Sequence, residues 1–362
     1  MTLALLGIAI AALLILRVPV AFAFLGPSLA YMMIADQSTG QALRVVTNAT
    51  ASFPLLAVPL FILLGALTNH AGIADRLFRF AMAVLAPVRG NLGYVAVGTS
   101  VGFSWISGSA VADAAALGKV QIPAMIREGY GRRFATGLSA ASSLIAPVMP
   151  PSIPAVIFAG LAAVSTGALF AASVIPAVLM AVGLCVIVWL LVRRNPNLTS
   201  GTVDRTEVRE SMKGVALPLL SPVIILGGIL GGFFTPTEAA AVGVAYILLI
   251  AVIERSLSWR GFLAALYESV LTAGGILLIV ASASLLGYIL AMERVPQAIT
   301  NAMLSVSDHP TVFLAMVVLM ALVLGCVIDA TAILVLVVPI LMPIAATYGV
   351  DPITLGVILI IS

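Results

Sequence analysis

The stretch SGSAVADAAALGKVQIPAM, Ser107 to Met125, sets a carboxylate, Asp113, inside a 362-residue chain that is 62% hydrophobic and only 9% charged. Soluble domains carry about a quarter charged residues, and the mean hydropathy here is +1.23. The chain therefore reads as a polytopic membrane protein. A charge at mid-bilayer costs about 2.5 to 3.5 kcal/mol on insertion scales and usually faces a partner or a watery cavity. Asp113 needs such a reason, and the residues before it suggest one. Ser104, Ser107, Gly108 and Ser109 lead into it; glycine is a poor helix former, and serine can satisfy backbone groups freed by a break. A helix interrupted here presents carbonyl and hydroxyl oxygens that suit a hard cation, while the N-terminus of the following half-helix suits an anionic substrate group.

Working outward, each crossing needs roughly 20 apolar residues, and candidate spans lie near 2–16, 18–34, 92–126, 134–160, 168–192, 214–234, 236–253 and 311–347. The runs are continuous rather than alternating, which points to helices and not a membrane β-barrel. The first run meets no positive charge before Arg17, so it is expected to be a retained helix and not a cleaved signal. Cys185 and Cys326 sit in apolar runs without metal-type spacing, and core packing is their expected role. His70 and His309 are isolated, and no HExxH or Walker pattern occurs. An enzyme is not expected, no nucleic-acid partner is indicated, and transport energy would come from an ion gradient.

Positive charges orient membrane helices. Counted from an outside start, Arg17, Arg127, Arg132, Arg133, Arg193, Arg194, Arg205, Arg209, Lys213, Arg255, Arg260 and Arg294 fall on the cytoplasmic side, with Arg44, Arg76, Arg79 and Arg89 opposite. That count treats the broken pieces at 52–83 and 262–293 as re-entrant hairpins. Pro54 and Pro59 mark the first tip, since each removes a donor and disfavours helix just before it. The second piece has no proline; Gly274, Gly275, Ser282 and Ser284 alone loosen it. In FTPTEAAAVG, Thr235 and Glu238 form a capping box around Pro236. In PVMPPSIPAVIF, Pro147, Pro150, Pro151 and Pro154 bend or break a span and expose carbonyls near Ser152. Gly93, Gly98 and the run Gly227 to Gly232 are read as helix-packing positions.

The chain also repeats itself. Asp113 is followed ten positions later by Pro123, and Asp329 ten later by Pro339, an offset of 216. VPVAFAFLGPSLAYMMI from Val18 aligns with TPTEAAAVGVAYILLI from Thr235, offset 217 on the prolines, and Leu63–Gly65 recurs as Leu285–Gly287, offset 222. Halves at 1–195 and 214–362 would be joined by a charged cytoplasmic linker at 196–213. An odd number of crossings between them makes an inverted repeat, as in many secondary transporters. Around the second aspartate, Gly325, Asp329 and Thr331 offer fewer hydroxyls, so backbone oxygens would carry more of any coordination. The fold expected is an all-α polytopic bundle with two inverted repeats, re-entrant hairpins and broken helices.

SGSAVADAAALGKVQIPAM, REGYGRRFA, PPSIP, FTPTEAAAVGVAY and DATAILVLVVPILMPIAATYGVDPITLGVI together resemble the large membrane subunit, DctM type, of tripartite ATP-independent periplasmic (TRAP) transporters. The likeness runs along essentially the whole chain. It implies a sodium-coupled importer of organic acids in the bacterial inner membrane, working by an elevator mechanism without an organic cofactor. It implies two partners, a small four-helix membrane subunit and a periplasmic solute-binding protein. It puts the sodium-binding breaks on Ser107, Gly108, Ser109 and Asp113, and on Gly325 and Asp329. Substrate-cavity candidates are Ser104, Pro54, Pro59, Pro150, Pro151, Ser152, Ser282, Ser284 and Thr331. Adding 216 to Pro150 gives 366, beyond Ser362, so a second counterpart of PPS and the last spans are expected past the end of this sequence. The alternatives are a stand-alone sodium/dicarboxylate symporter, which would need no soluble partner, and a passive channel.

Overall fold

The computed structural model describes the chain except Met1, Pro196, Asn197, Thr199 and Val327, so the opening of the linker lies partly outside the described residues. Among those described, 81% are helical and none is in a strand. The first half runs through α1 (Thr2–Ile15), α2 (Val20–Ile34), α3 (Thr39–Thr50), a 3-10 turn (Phe53–Leu56), α4 (Ala57–His70), α5 (Ile73–Leu85), α6 (Asn91–Ser107), α7 (Ala110–Arg127), α8 (Arg132–Ser143), α9 (Ile153–Ala162) and α10 (Thr166–Arg194). After the linker come α11 (Arg205–Ala216), α12 (Leu220–Leu230), α13 (Pro236–Ile253), α14 (Trp259–Met292), α15 (Val295–Val306), α16 (Pro310–Gly325), α17 (Ala330–Thr347) and α18 (Pro352–Ile361). Five of the described helices are long and apolar enough to span a bilayer, or seven spans if two bent helix pairs each count as one. This is a multi-pass membrane protein.

Local chemistry sets the helix ends. Thr235 accepts from the Glu238 N–H at 3.3 Å while Glu238 accepts from the Thr235 N–H at 2.8 Å, closing the expected capping box. Ser109, Asp204, Asp329 and Asp351 cap α7, α11, α17 and α18 with their side-chain oxygens, each satisfying an otherwise orphaned N–H. In the linker, the N–H of Thr206 beside Asp204 holds its carboxyl below the usual range. Prolines end elements where they cannot continue one: Leu144 to Ser152 is non-helical, so the expected 134–160 span is broken into α8 and α9.

The helices gather into two compact units that interleave the sequence halves: 1–56, 154–169 and 271–362 in one, 57–153 and 170–270 in the other. In the second unit, α4 packs on α6 and α13, α5 on α6 and α11, and α6 on α7 and α8. Its core joins Ala74, Leu77, Phe103, Ala116, Leu117 and Val215, so the linker helix α11 is seated in it. In the first unit, α1 packs on α2, α15 on α17, and both α16 and α17 on α18. There Phe313 stacks on Tyr348 at 4.8 Å, and the Tyr348 hydroxyl donates to the Ser307 carbonyl.

Several expectations change. The hairpin turn in the first piece lies at Ala71–Gly72, between α4 and α5; Pro54 sits in the 3-10 turn and Pro59 within α4. The piece at 262–293 is no hairpin, because α14 runs unbroken for 34 residues, about 51 Å at 1.5 Å per residue. Without a proline, two glycines and two serines do not stop it. Arg76 pairs with Glu254 and donates to the Gly214 carbonyl, and Arg89 donates to the Asn195 and Leu198 carbonyls. Both belong beside the linker, not on the opposite face; the mistaken hairpin tip had inverted their side. Cys326 is exposed and Cys185 half-buried, so neither is a core residue. Gly93 and Gly228 do sit in tight contacts, whereas a would-be Cβ at Gly98 or Gly227 has nothing within 4 Å among the described residues.

The element order repeats. The starts of α2, α3, α5, α6, α7 and α8 recur as those of α13, α14, α15, α16, α17 and α18 at offsets between 216 and 222. Gly129 and Gly349, 220 apart, both take positive φ in the turns before α8 and α18. Continuous α14 stands where α3, the 3-10 turn and α4 stand in the first half.

Candidate functional site

The helix that begins at Asn91 stops at Ser107 and restarts at Ala110, and Gly108 makes the break. Its φ is +58°, a conformation glycine adopts without the Cβ penalty. A Cβ there would lie 2.5 Å from the Pro151 carbonyl oxygen, and the Ile153 N–H donates to the Gly108 carbonyl at 3.4 Å. On another side, a Cβ at Gly65 of α4 would lie 3.3 Å from the Ser107 Cα. The break is therefore clasped between α4 and the proline-rich segment 147–152. Ser152 is buried, and its hydroxyl donates to the Pro147 carbonyl.

Asp113 lies one turn past the Ser109 cap, fully buried, and the buried oxygens without a hydrogen-bond partner among the described residues are those of Ser28, Ser107 and Asp113. The Ser100 hydroxyl lies close enough to stabilise the Asp113 charge, yet it donates to Ser142 instead, at 3.1 Å. Ser142 passes the chain to the Ser139 carbonyl, and Ser139 donates to Gln121, whose amide donates to Thr99 at 2.8 Å and the Ala96 carbonyl at 3.2 Å. This buried ladder ties α6, α7 and α8 together. It satisfies itself and leaves the carboxylate out. A buried carboxylate without a donor is unfavourable unless it is neutralised or meets a cation.

Chemically, the neighbourhood offers hard oxygens: the Asp113 carboxylate, the free Ser107 hydroxyl and the carbonyls released at the break. Such a set fits an alkali cation. No three His, Cys, Asp or Glu side chains converge among the described residues, so a tightly held transition metal has no ligand set there.

The second break differs. Between α16 and α17, Asp329 is exposed, and its carboxylate accepts from the Thr331 N–H at 2.9 Å as the N-cap. Gly325 is exposed, and among the described residues Ile333 alone comes within 4.0 Å of a would-be Cβ. Register explains the contrast with the expected pairing. At the offset of 220 that aligns α7 with α17, Asp329 matches Ser109, Pro343 matches Pro123, and Asp113 matches Ile333. The 216 offset arose because α17 carries two prolines, Pro339 and Pro343.

The structure thus gathers Ser107, Gly108, Pro151 and Ser152 around one break, with Pro150 next to Pro151 in the chain and Ser104 buried in α6, donating to the Val101 carbonyl. Pro59 is in the same unit. Pro54, Ser282, Ser284, Gly325, Asp329 and Thr331 belong to the other unit; Ser282 is buried and bonded to its own helix at the Leu278 carbonyl. The ladder residues Thr99, Ser100, Gln121, Ser139 and Ser142 went unread in the sequence. Their signal was Gln121, eight residues after Asp113 and so on the same helix face, inside the stretch already singled out.

Against known proteins, residues 7–362 match the family of the DctM component of tripartite ATP-independent periplasmic transporters. The chain is 40% identical over 353 residues to the sialic acid TRAP transporter large permease protein SiaM of Vibrio cholerae, covering 97% of this chain and 82% of that one. It is 33% identical over 386 residues to the C4-dicarboxylate TRAP transporter large permease protein DctM of Vibrio cholerae, covering 100% and 85%. It is also 33% identical over 346 residues to the 2,3-diketo-L-gulonate TRAP transporter large permease protein YiaN of Escherichia coli, covering 95% and 81%.

Proposed function

We propose, from the premise that this chain belongs to the DctM family of tripartite ATP-independent periplasmic transporters, that it is the large permease subunit of a sodium-coupled importer of an organic acid. Its home is the bacterial inner membrane. The relatives named for sialic acid, C4-dicarboxylates and 2,3-diketo-L-gulonate support a carboxylate substrate. A small four-helix membrane subunit and a periplasmic solute-binding protein complete the system, the latter delivering the acid.

One observation carries the sodium reading: Asp113 is fully buried beside a helix break and has no hydrogen-bond partner among the described residues. A sodium ion held by Asp113, Ser107 and the carbonyls around Gly108 and Ser109 would neutralise that charge. Gly325 and Asp329 would contribute oxygens at the second break. With the cation in place, the positive end of α7 becomes a more favourable neighbour for an anionic substrate, so ion and acid bind cooperatively. An elevator motion is proposed from the family relationship.

The test is uptake into proteoliposomes containing both membrane subunits, with the binding protein added. Uptake should require an inward sodium gradient and the binding protein. Unchanged uptake with choline in place of sodium overturns the coupling, and full uptake without the binding protein turns the reading to a stand-alone symporter. Flux of many ions per substrate would instead mark a channel.

A further inference from the structure

Along α10, Val178, Ala181, Val182, Cys185, Val186 and Trp189 form one stripe at helical spacing, and Arg193 continues it by one turn. With Tyr94 and Val101 of α6 and Met149 at its foot, the stripe walls an open groove of about 430 Å³, almost wholly apolar. Val178, Val182, Val186 and Trp189 are each close to half exposed. The rim is of another character. The Arg193 guanidinium lies 4.1 Å from the centre of the Trp189 ring, and Arg194 follows in the same last turn. Neither arginine pairs with a carboxylate among the described residues. Would-be Cβ atoms at Gly90 and Gly93 meet Val192 and Val188, so the start of α6 meets the end of α10 at this rim.

We propose that the groove binds one acyl chain of an anionic phospholipid, with its phosphate on Arg193 and Arg194. Depth decides for a lipid over a partner helix. From Val178 to Trp189 the groove runs about 17 Å at 1.5 Å per residue, close to half of the roughly 30 Å hydrocarbon thickness, which is one leaflet. A transmembrane partner would need the full thickness. Tryptophan and tyrosine with arginine at one end are the groups that sit at headgroup level, and the unpaired cations choose a negative headgroup. A lipid held there wedges α6, the helix that ends in the Gly108 break, against α10.

The test uses the chain in nanodiscs with Trp105→Phe and Trp259→Phe, leaving Trp189 as the reporter. Brominated phosphatidylglycerol should quench Trp189 at a lower mole fraction than brominated phosphatidylcholine. Each arginine contributes about fivefold to the preference, so Arg193→Gln should reduce it by that factor, and Ala181→Phe, which fills the groove, should abolish selective quenching. Equal quenching by the two lipids, or selectivity surviving both substitutions, overturns the proposal. Efficient Cys185–Cys185 cross-linking at low protein density in a Cys326→Ser background would assign the groove to a second copy and overturn it as well.

Discussion

The two helix breaks occupy matching places in a repeated element order, and they are built to opposite specifications. The first is buried, clasped by Gly65 and the Pro151 carbonyl, and carries a carboxylate one turn inside α7 that has no hydrogen-bond partner among the described residues. The second is exposed, loosely surrounded, and spends its aspartate on capping α17. Repetition has kept the interruption and let the chemistry around it diverge. Ser109 and Asp329 do the same local work, and Asp113 has no counterpart in the other half.

Glycine replacement should separate the breaks most sharply. Gly108→Ala forces a Cβ onto the Pro151 carbonyl at positive φ, and strain with overpacking should destabilise the protein by about 2 to 5 kcal/mol. Gly325→Ala meets no atom closer than 4.0 Å among the described residues and lies at negative φ in the last turn of α16, where alanine is tolerated without strain. Thermal unfolding in detergent should show a large loss for the first and none for the second. Equal losses would mean that the breaks are alike after all.

Next in size is the response to sodium. A ligand at a hundredfold excess over its Kd stabilises the native state by about 2.7 kcal/mol. Wild-type protein should gain that stability in sodium relative to choline. Asp113→Asn should gain nothing from sodium, because the carboxylate that would hold the cation is gone. A sodium shift retained in Asp113→Asn would remove Asp113 from the ion site.

Much of this contrast was legible in the sequence, and its limits are physical. SGS followed by an aspartate announced a break, because glycine and serine both weaken a helix, and Gly108 is where it falls. Thr235, Pro236 and Glu238 announced a helix start, since each acts on its own turn. Register was not legible: two prolines four residues apart in α17 gave the spacing search two equally good matches, and only the helix ends distinguish them. Nor was the continuity of α14, because Gly274, Gly275, Ser282 and Ser284 weaken a helix without ending it. Hairpin tips and sidedness depend on tertiary contacts such as Arg89 with the Asn195 and Leu198 carbonyls, which no local pattern encodes.

The polar ladder belongs to the first break alone. Gln121→Leu leaves the Ser139 hydroxyl and a Thr99 oxygen without their buried partner, and stranding such groups costs about 1 to 3 kcal/mol. The released Ser139 hydroxyl then needs another buried acceptor, and the Asp113 carboxylate is one without a partner among the described residues. The expected outcome is lower thermal stability together with weaker sodium affinity, since a new donor to the carboxylate competes with the cation. Unaltered sodium affinity would show the ladder to be scaffolding only.

The smallest effect lies at the second break. Asp329 bonds the Thr331 N–H through one oxygen and sits exposed at the start of α17. As a cap it is replaceable: Asn serves nearly as well, whereas Ala removes about 1 kcal/mol. Asp329→Asn should therefore match wild type in thermal stability, and Asp329→Ala should fall by that amount. Transport then separates the two roles of the residue. If Asp329 also lends an oxygen to sodium, both variants raise the sodium concentration for half-maximal uptake, and Asn does so with its stability intact. If capping is its whole contribution, Asn transports as wild type does, and the cation sites of this protein are confined to the first break.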